Sequence, residues 1–169
     1  MRLTMPSLTR IINQVPSKIR YFTLQEATAA LPRIRGHMRR VFQLHSLLRT
    51  TAEQLSDLHV AVTPDLLAAH DAVELPQSAI PTLATARALY ACIRDELEAI
   101  HSTGAQVKDV ERGLVDFRSY RDGADVVLLC WHIGERDIAH YHEPDKGFQA
   151  RKPLGAHVFL SEPLNVQRV

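Results

Sequence analysis

The stretch Gly113-Leu114-Val115-Asp116-Phe117-Arg118-Ser119-Tyr120-Arg121-Asp122-Gly123-Ala124-Asp125-Val126-Val127-Leu128-Leu129-Cys130-Trp131-His132 decides the fold. Asp122-Gly123 tolerates the positive φ that tight hairpin turns need, and valine, leucine and aromatic residues flank it on both sides. Strands are therefore expected at about Leu114–Tyr120 and Asp125–His132. Gly134-Glu135 is a weaker turn, leading to a third strand at about Asp137–His142.

Upstream the apolar period is helical. Tyr21-Phe22-Thr23-Leu24-Gln25-Glu26 carries a capping box, Thr23 with Glu26 three residues on. Leu24, Ala27, Leu31, Ile34, Met38, Val41, His45, Leu48, Ala52, Leu55, His59 and Val62 then repeat almost every seven residues, as in a helix packed along one seam. Pro32 removes one helical hydrogen bond and is expected to kink this helix without ending it. Thr63-Pro64 predicts a short helix over Asp65–Val73. A second long helix over 78–103 has the seam Ala79, Leu83, Ala86, Tyr90, Ile93, Leu97, Ile100, closed by Gly104. The fold class is α+β: a long antiparallel helical hairpin, kinked at Pro32, packed with a three-stranded antiparallel β-meander. The layout is a basic extension over 1–20, expected to be poorly ordered, one domain over 21–154 (helices 24–60 and 78–103, meander 106–142), and an irregular tail over 155–169.

Composition excludes several classes. The 169 residues are 46% hydrophobic and 23% charged with net charge +1, which is globular and gives no global field for nucleic acid or membrane surface. No apolar run approaches a bilayer span. Cys92 and Cys130, with no secretory signal, read as reduced thiols of a cytoplasmic protein. Residues 1–52 hold nine basic side chains against Glu26 alone, and residues 53–100 hold eight acids against Arg87 and Arg94. Arg33, Arg35, Arg39 and Arg40 are thus expected to pair with Asp95, Glu96 and Glu98 across the helix pair, and not to form a nucleic-acid surface.

The polar residues that could do chemistry cluster between Lys108 and Arg151, and strand pairing decides which of them meet. A tight turn at Asp122-Gly123 sets Phe117 opposite Leu128 and Asp116 opposite Leu129. A two- or four-residue loop at Gly134-Glu135 then sets Leu129 opposite His140 and Val127 opposite His142. That even register is the expected one, since it separates apolar from polar residues most cleanly. It buries Cys130 as a core thiol and gathers Asp116, Arg118, His140 and His142 beside Trp131. A three-residue loop would instead bring Cys130, His132, His140 and His142 together, a set zinc would accept. From the even register, Asp116, His140 and His142 are candidate ligands for a zinc-like divalent metal, and Arg118 with protonated histidine is a candidate anion site. No G-x-S-x-G elbow, glycine-rich phosphate loop or CxxC pair supports nucleophilic or nucleotide chemistry.

The same residues carry a resemblance. Tyr21-Phe22-Thr23-Leu24-Gln25-Glu26-Ala27, Leu31-Pro32, Val107-Lys108-Asp109, Gly113-Leu114-Val115-Asp116-Phe117, Asp122-Gly123, Leu129-Cys130-Trp131, Gly134-Glu135, His142, Gly147-Phe148 and Arg151-Lys152-Pro153-Leu154 together resemble the prokaryotic domain-of-unknown-function family 2203. The resemblance implies no activity. It implies that Lys108, Asp109, Asp116, Cys130, Trp131, Glu135, His142 and Arg151 are family positions, and that His132 and His140 are not. Weight moves accordingly to Asp116 and His142 as ligands or acid–base groups, Glu135 as a second carboxylate and Arg151 as an anion clamp, with Lys108 and Arg118 as further ligand-binding candidates.

Two functions are therefore expected: a metal or small-anion site on the meander, with or without catalysis, or a non-enzymatic module whose heptad helix pair dimerises or docks a partner.

Overall fold

The structure, a computed structural model, describes residues 8–71 and 73–165. The first long helix, α2 (Leu24–Asp57), opens with the expected capping box. Glu26 N–H donates to Thr23 Oγ1 at 3.1 Å, and Thr23 N–H donates to the Glu26 carboxylate at 2.8 Å. The helix runs through Pro32 for 34 residues. It closes on His59 at φ 60°: His59 N–H reaches the Ser56 carbonyl and Val60 N–H the Leu55 carbonyl, both at 2.9 Å. A histidine thus occupies the left-handed position where glycine is usual. Thr63 caps α3, which stops at Pro64–Ala68 and so is shorter than expected. A 3₁₀ turn over Gln77–Ala79 leads into α4 (Ile80–His101).

The apolar seams pack inside this one chain. Leu31, Ile34, Met38, Val41, Leu48, Ala52 and Leu55 of α2 are buried, as are Leu83, Ala86, Tyr90, Ile93, Leu97 and Ile100 of α4, and the two helices pack against each other. Charge pairing between them is narrower than expected. Glu96 takes both His37 and Arg40, whereas among the described residues Arg33, Arg35 and Arg39 have no acidic partner. Arg35 donates instead to the Arg136 carbonyl at 2.8 Å and lies over the Trp131 ring.

Of the basic extension expected to be poorly ordered, residues 1–7 lie outside the described residues. Leu8–Gln14 form α1, whose Leu8, Ile11 and Ile12 join the core. Burying three aliphatic side chains stabilises by several kcal/mol in total, at about 1.5–3 kcal/mol each, enough to dock a short helix. His101 secures it: its Nε2 accepts the Val107 N–H at 3.1 Å and its Nδ1 faces the Val15 carbonyl at 3.4 Å.

The sheet is larger than a three-stranded meander. Its six antiparallel strands are β1 (Gln106–Asp109), β2 (Leu114–Arg121), β3 (Asp125–His132), β4 (His140–His142), β5 (Lys152–Pro153) and β6 (Phe159–Leu160), with β1 to β5 in chain order and β6 beside β2. The expected third strand shrinks to His140–His142, and the expected irregular tail supplies β6. Residues 166–169 of that tail lie outside the described residues.

The expected even register is corrected. Phe117 stands opposite Leu129 and Asp116 opposite Cys130, so the hairpin loop holds Asp122, Gly123 and Ala124. Asp122 and Gly123 do take positive φ, 53° and 72°, but the turn is also gripped by the tail. Asp122 N–H donates to the Val158 carbonyl at 2.7 Å, and Leu164 N–H donates to the Gly123 carbonyl at 2.9 Å. On the far side Leu128 faces His142 and Cys130 faces His140. Both offsets shift by one residue, so β2 and β4 keep their expected relation and β3 alone turns over.

Trp131 accounts for that turn. In the observed register Val115, Phe117, Val127, Leu129, Trp131 and Tyr141 share the face that meets the helices, and all belong to the core. Phe22 packs edge-on against Phe117 there. Sealing an indole there in place of a thiol removes on the order of 100 Å² more apolar surface from water, worth about 3 kcal/mol.

Candidate functional site

The other face of the sheet carries two polar rows. Asp116, Cys130 and His140 lie side by side across β2, β3 and β4, and Arg118, Leu128 and His142 form the next row. After β4 the chain returns across this face as a strap, residues 143–151. Pro144, Lys146, Gly147 and Phe148 of the strap roof a cavity of about 200 Å³ whose other walls are Lys108, Leu114, Asp116, Leu128, Cys130 and His142.

At its floor Asp116 and His142 are both buried and meet at 3.2 Å, His142 Nε2 to Asp116 Oδ2. His142 Nδ1–H donates to the Glu143 carbonyl at 2.9 Å, which fixes the ring and aims Nε2 at Asp116. The hydrogen bond to Asp116 outweighs burial and holds the His142 imidazole above its ordinary value. Cys130 is pushed the other way. Burial, reinforced by the Asp116 charge, raises its thiol to about 12.

The Asp116 oxygen, His142 nitrogen and Cys130 sulfur offer donor atoms all within 4.8 Å of one another. A tetrahedral ion with bonds of about 2.0–2.3 Å needs donors roughly 3.3–3.8 Å apart, so closing on one demands that separations shorten by at most about 1.5 Å. Asp116 Oδ1 is buried with no partner. Among the described residues the other two orphaned buried polar side-chain atoms, Arg118 Nε and His140 Nδ1, lie on this same face. Each such atom costs about 1–3 kcal/mol unless something bonds it.

The sequence-derived candidates divide into two groups. Asp116 and His142 do meet, and Lys108 stands on the cavity wall. Arg118 shares the row of His142 but is separated from it by Leu128, and its carbonyl accepts the Phe22 N–H at 2.7 Å. His140, expected as the second histidine ligand, falls outside the donor cluster, with Nδ1 3.9 Å from Glu135 Oε1. Glu135 and Arg151 are joined to each other at 2.8 Å. Glu135 also accepts the His132 N–H at 2.9 Å, and Arg151 stacks on Phe148 at 3.9 Å. Their charges are thus engaged in tying the strap to the loop after β3.

Two members were missed. Cys130 was expected in the helix-side core and instead points at Asp116. The signal available was its place among the family motif positions, together with the odd register that would have gathered it with histidines. Lys146 carried no signal, because only the strap's path brings it over the sheet.

The chain matches the family model described as "Uncharacterized conserved protein (DUF2203)" over residues 20–154, and it belongs to that family. No curated protein and no solved structure matches it. No helix among the described residues is long and apolar enough to cross a membrane.

Proposed function

We propose that this DUF2203 member binds a zinc-like divalent metal through Asp116, Cys130 and His142, with the remaining coordination position open to the cavity beneath the strap. The observation that carries the reading is the convergence of three unlike donors, all buried, around a carboxylate with an orphaned oxygen. Three protein ligands with one open position is the pattern of reactive zinc centres, whereas purely structural sites are closed by four. The Nδ1–H bond from His142 to a backbone carbonyl is the usual way a ligating imidazole is oriented. A bound dication would act as a Lewis acid at the open position and make the Cys130 thiolate accessible near neutral pH. The chain itself supplies the dry floor, the fixed imidazole and a strap that restricts water. A thiolate ligand requires reducing surroundings, in keeping with a cytoplasmic location.

The alternative, a helix pair that docks a partner or a second copy, loses the feature that motivated it, because its seam is buried within this chain.

The test is zinc content and competition affinity of protein prepared without an affinity tag. The wild type is expected to hold one equivalent, and Asp116→Asn, Cys130→Ser and His142→Gln each to lose affinity by roughly tenfold or more. Unchanged zinc affinity in Cys130→Ser would refute the site.

A further inference from the structure

The cavity over the three donors has a charged rim and greasy walls. Lys108, on β1, and Lys146, on the strap, are exposed, while Asp116, Cys130 and His142 are buried below them. Leu114 and Leu128 of the sheet and Pro144 and Phe148 of the strap line the space between. Asp116 is the only acid in this lining. A dication held by the Asp116 carboxylate and the Cys130 thiolate is locally neutral, so it does not offset the two ammonium groups at the cavity's rim. Asp145, 3.6 Å from Lys146, is itself exposed to solvent and offsets part of one charge only.

Size narrows the ligand further. About 200 Å³ holds roughly seven waters at about 30 Å³ each, so the part of a ligand seated in it has on the order of that many heavy atoms. An inorganic oxyanion would satisfy the lysines but leave the four apolar walls facing water.

We propose that the site takes a small carboxylate: its anionic end pairs with Lys108 and Lys146, its short apolar body lies against Leu114, Leu128, Pro144 and Phe148, and its far end faces the open metal position. This assignment rests on the metal reading above. The two ammonium groups act as point charges, so they select charge, and the walls select shape.

Cobalt(II) replaces zinc as a visible probe in the full-length protein, and butyrate is the titrant, with inorganic phosphate as the contrasting anion. Butyrate is expected to perturb the cobalt spectrum saturably, and phosphate to bind about tenfold more weakly or worse. The double variant Lys108→Met/Lys146→Met should lose about tenfold or more in butyrate affinity while its ligand-free cobalt spectrum stays that of the wild type. Equal butyrate affinity in the double variant, phosphate binding as tight as butyrate, or a cobalt–thiolate spectrum that butyrate never perturbs would each overturn the carboxylate proposal alone. Absence of the cobalt–thiolate band in the wild type would overturn the metal reading and this proposal with it.

Discussion

The two faces of the sheet are built from the same strands and obey opposite rules. On the helix side Val115, Phe117, Leu129 and Trp131 are fully buried, and the buried Ser119 hydroxyl on the same face is satisfied by the Phe22 carbonyl at 2.7 Å. On the strap side Asp116, Arg118 and His140 leave buried polar atoms without partners. Close-packed apolar contacts are individually replaceable but collectively large, whereas an unsatisfied buried carboxylate is a cost that a bound ligand can remove. Packing stability therefore sits on one side of each strand and the candidate ligand site on the other, one residue apart. The strap makes this division workable, since it covers the polar face without filling it.

Substitutions on adjacent residues of β3 give the sharpest contrast. Trp131→Ala is expected to lose about 3–5 kcal/mol of unfolding free energy in urea titrations, while Cys130→Ala loses about 1 kcal/mol or less. Similar losses for the two would break the division. Next in size is the response to metal. Zinc at about a hundred times its dissociation constant should raise the stability of the wild type by about 2.7 kcal/mol and leave Cys130→Ser unmoved, as read by thermal melts.

A smaller, pH-dependent difference separates wild type from Asp116→Asn in the absence of metal. The folded state holds the His142 imidazole above its ordinary value of about 6.5. That contribution to stability is complete below the ordinary value and fades as pH rises through the raised one. The advantage of the wild type over Asp116→Asn is thus expected to shrink from acid to mildly alkaline pH in paired urea titrations. Zinc affinity should run the opposite way and strengthen with pH, because the ion displaces protons from His142 and Cys130. An advantage that grows with pH would contradict the upward shift of His142. The smallest effect lies far from the sheet: His59→Gly, at φ 60°, should add about 0.5 kcal/mol by relieving the left-handed strain at the end of α2.

The sequence made the helices legible because each buries one stripe and exposes the rest. Leu31 to Leu55 and Leu83 to Ile100 mark their faces by period alone, and Thr23 with Glu26 marks a start. Strand β3 offers no such mark. Val126-Val127-Leu128-Leu129-Cys130 is apolar at every position, because both its faces are covered, and a one-residue slip leaves its pattern unchanged. Asp116 and His142 survived that ambiguity since the two slips cancel between β2 and β4. Cys130 did not, and His140 was drawn in by its spacing from His142. The strap and β6 were beyond local pattern altogether: they are held by contacts such as Asp122 with Val158 and Arg151 with Glu135, between residues far apart in the chain.

X-ray absorption at the zinc edge of the metal-loaded protein tests the shared site most directly. One sulfur at about 2.3 Å, with nitrogen and oxygen neighbours at about 2.0–2.2 Å, is the expected shell. A shell of nitrogen and oxygen alone would mean that Cys130 is not a ligand and that the three side chains do not close on one ion.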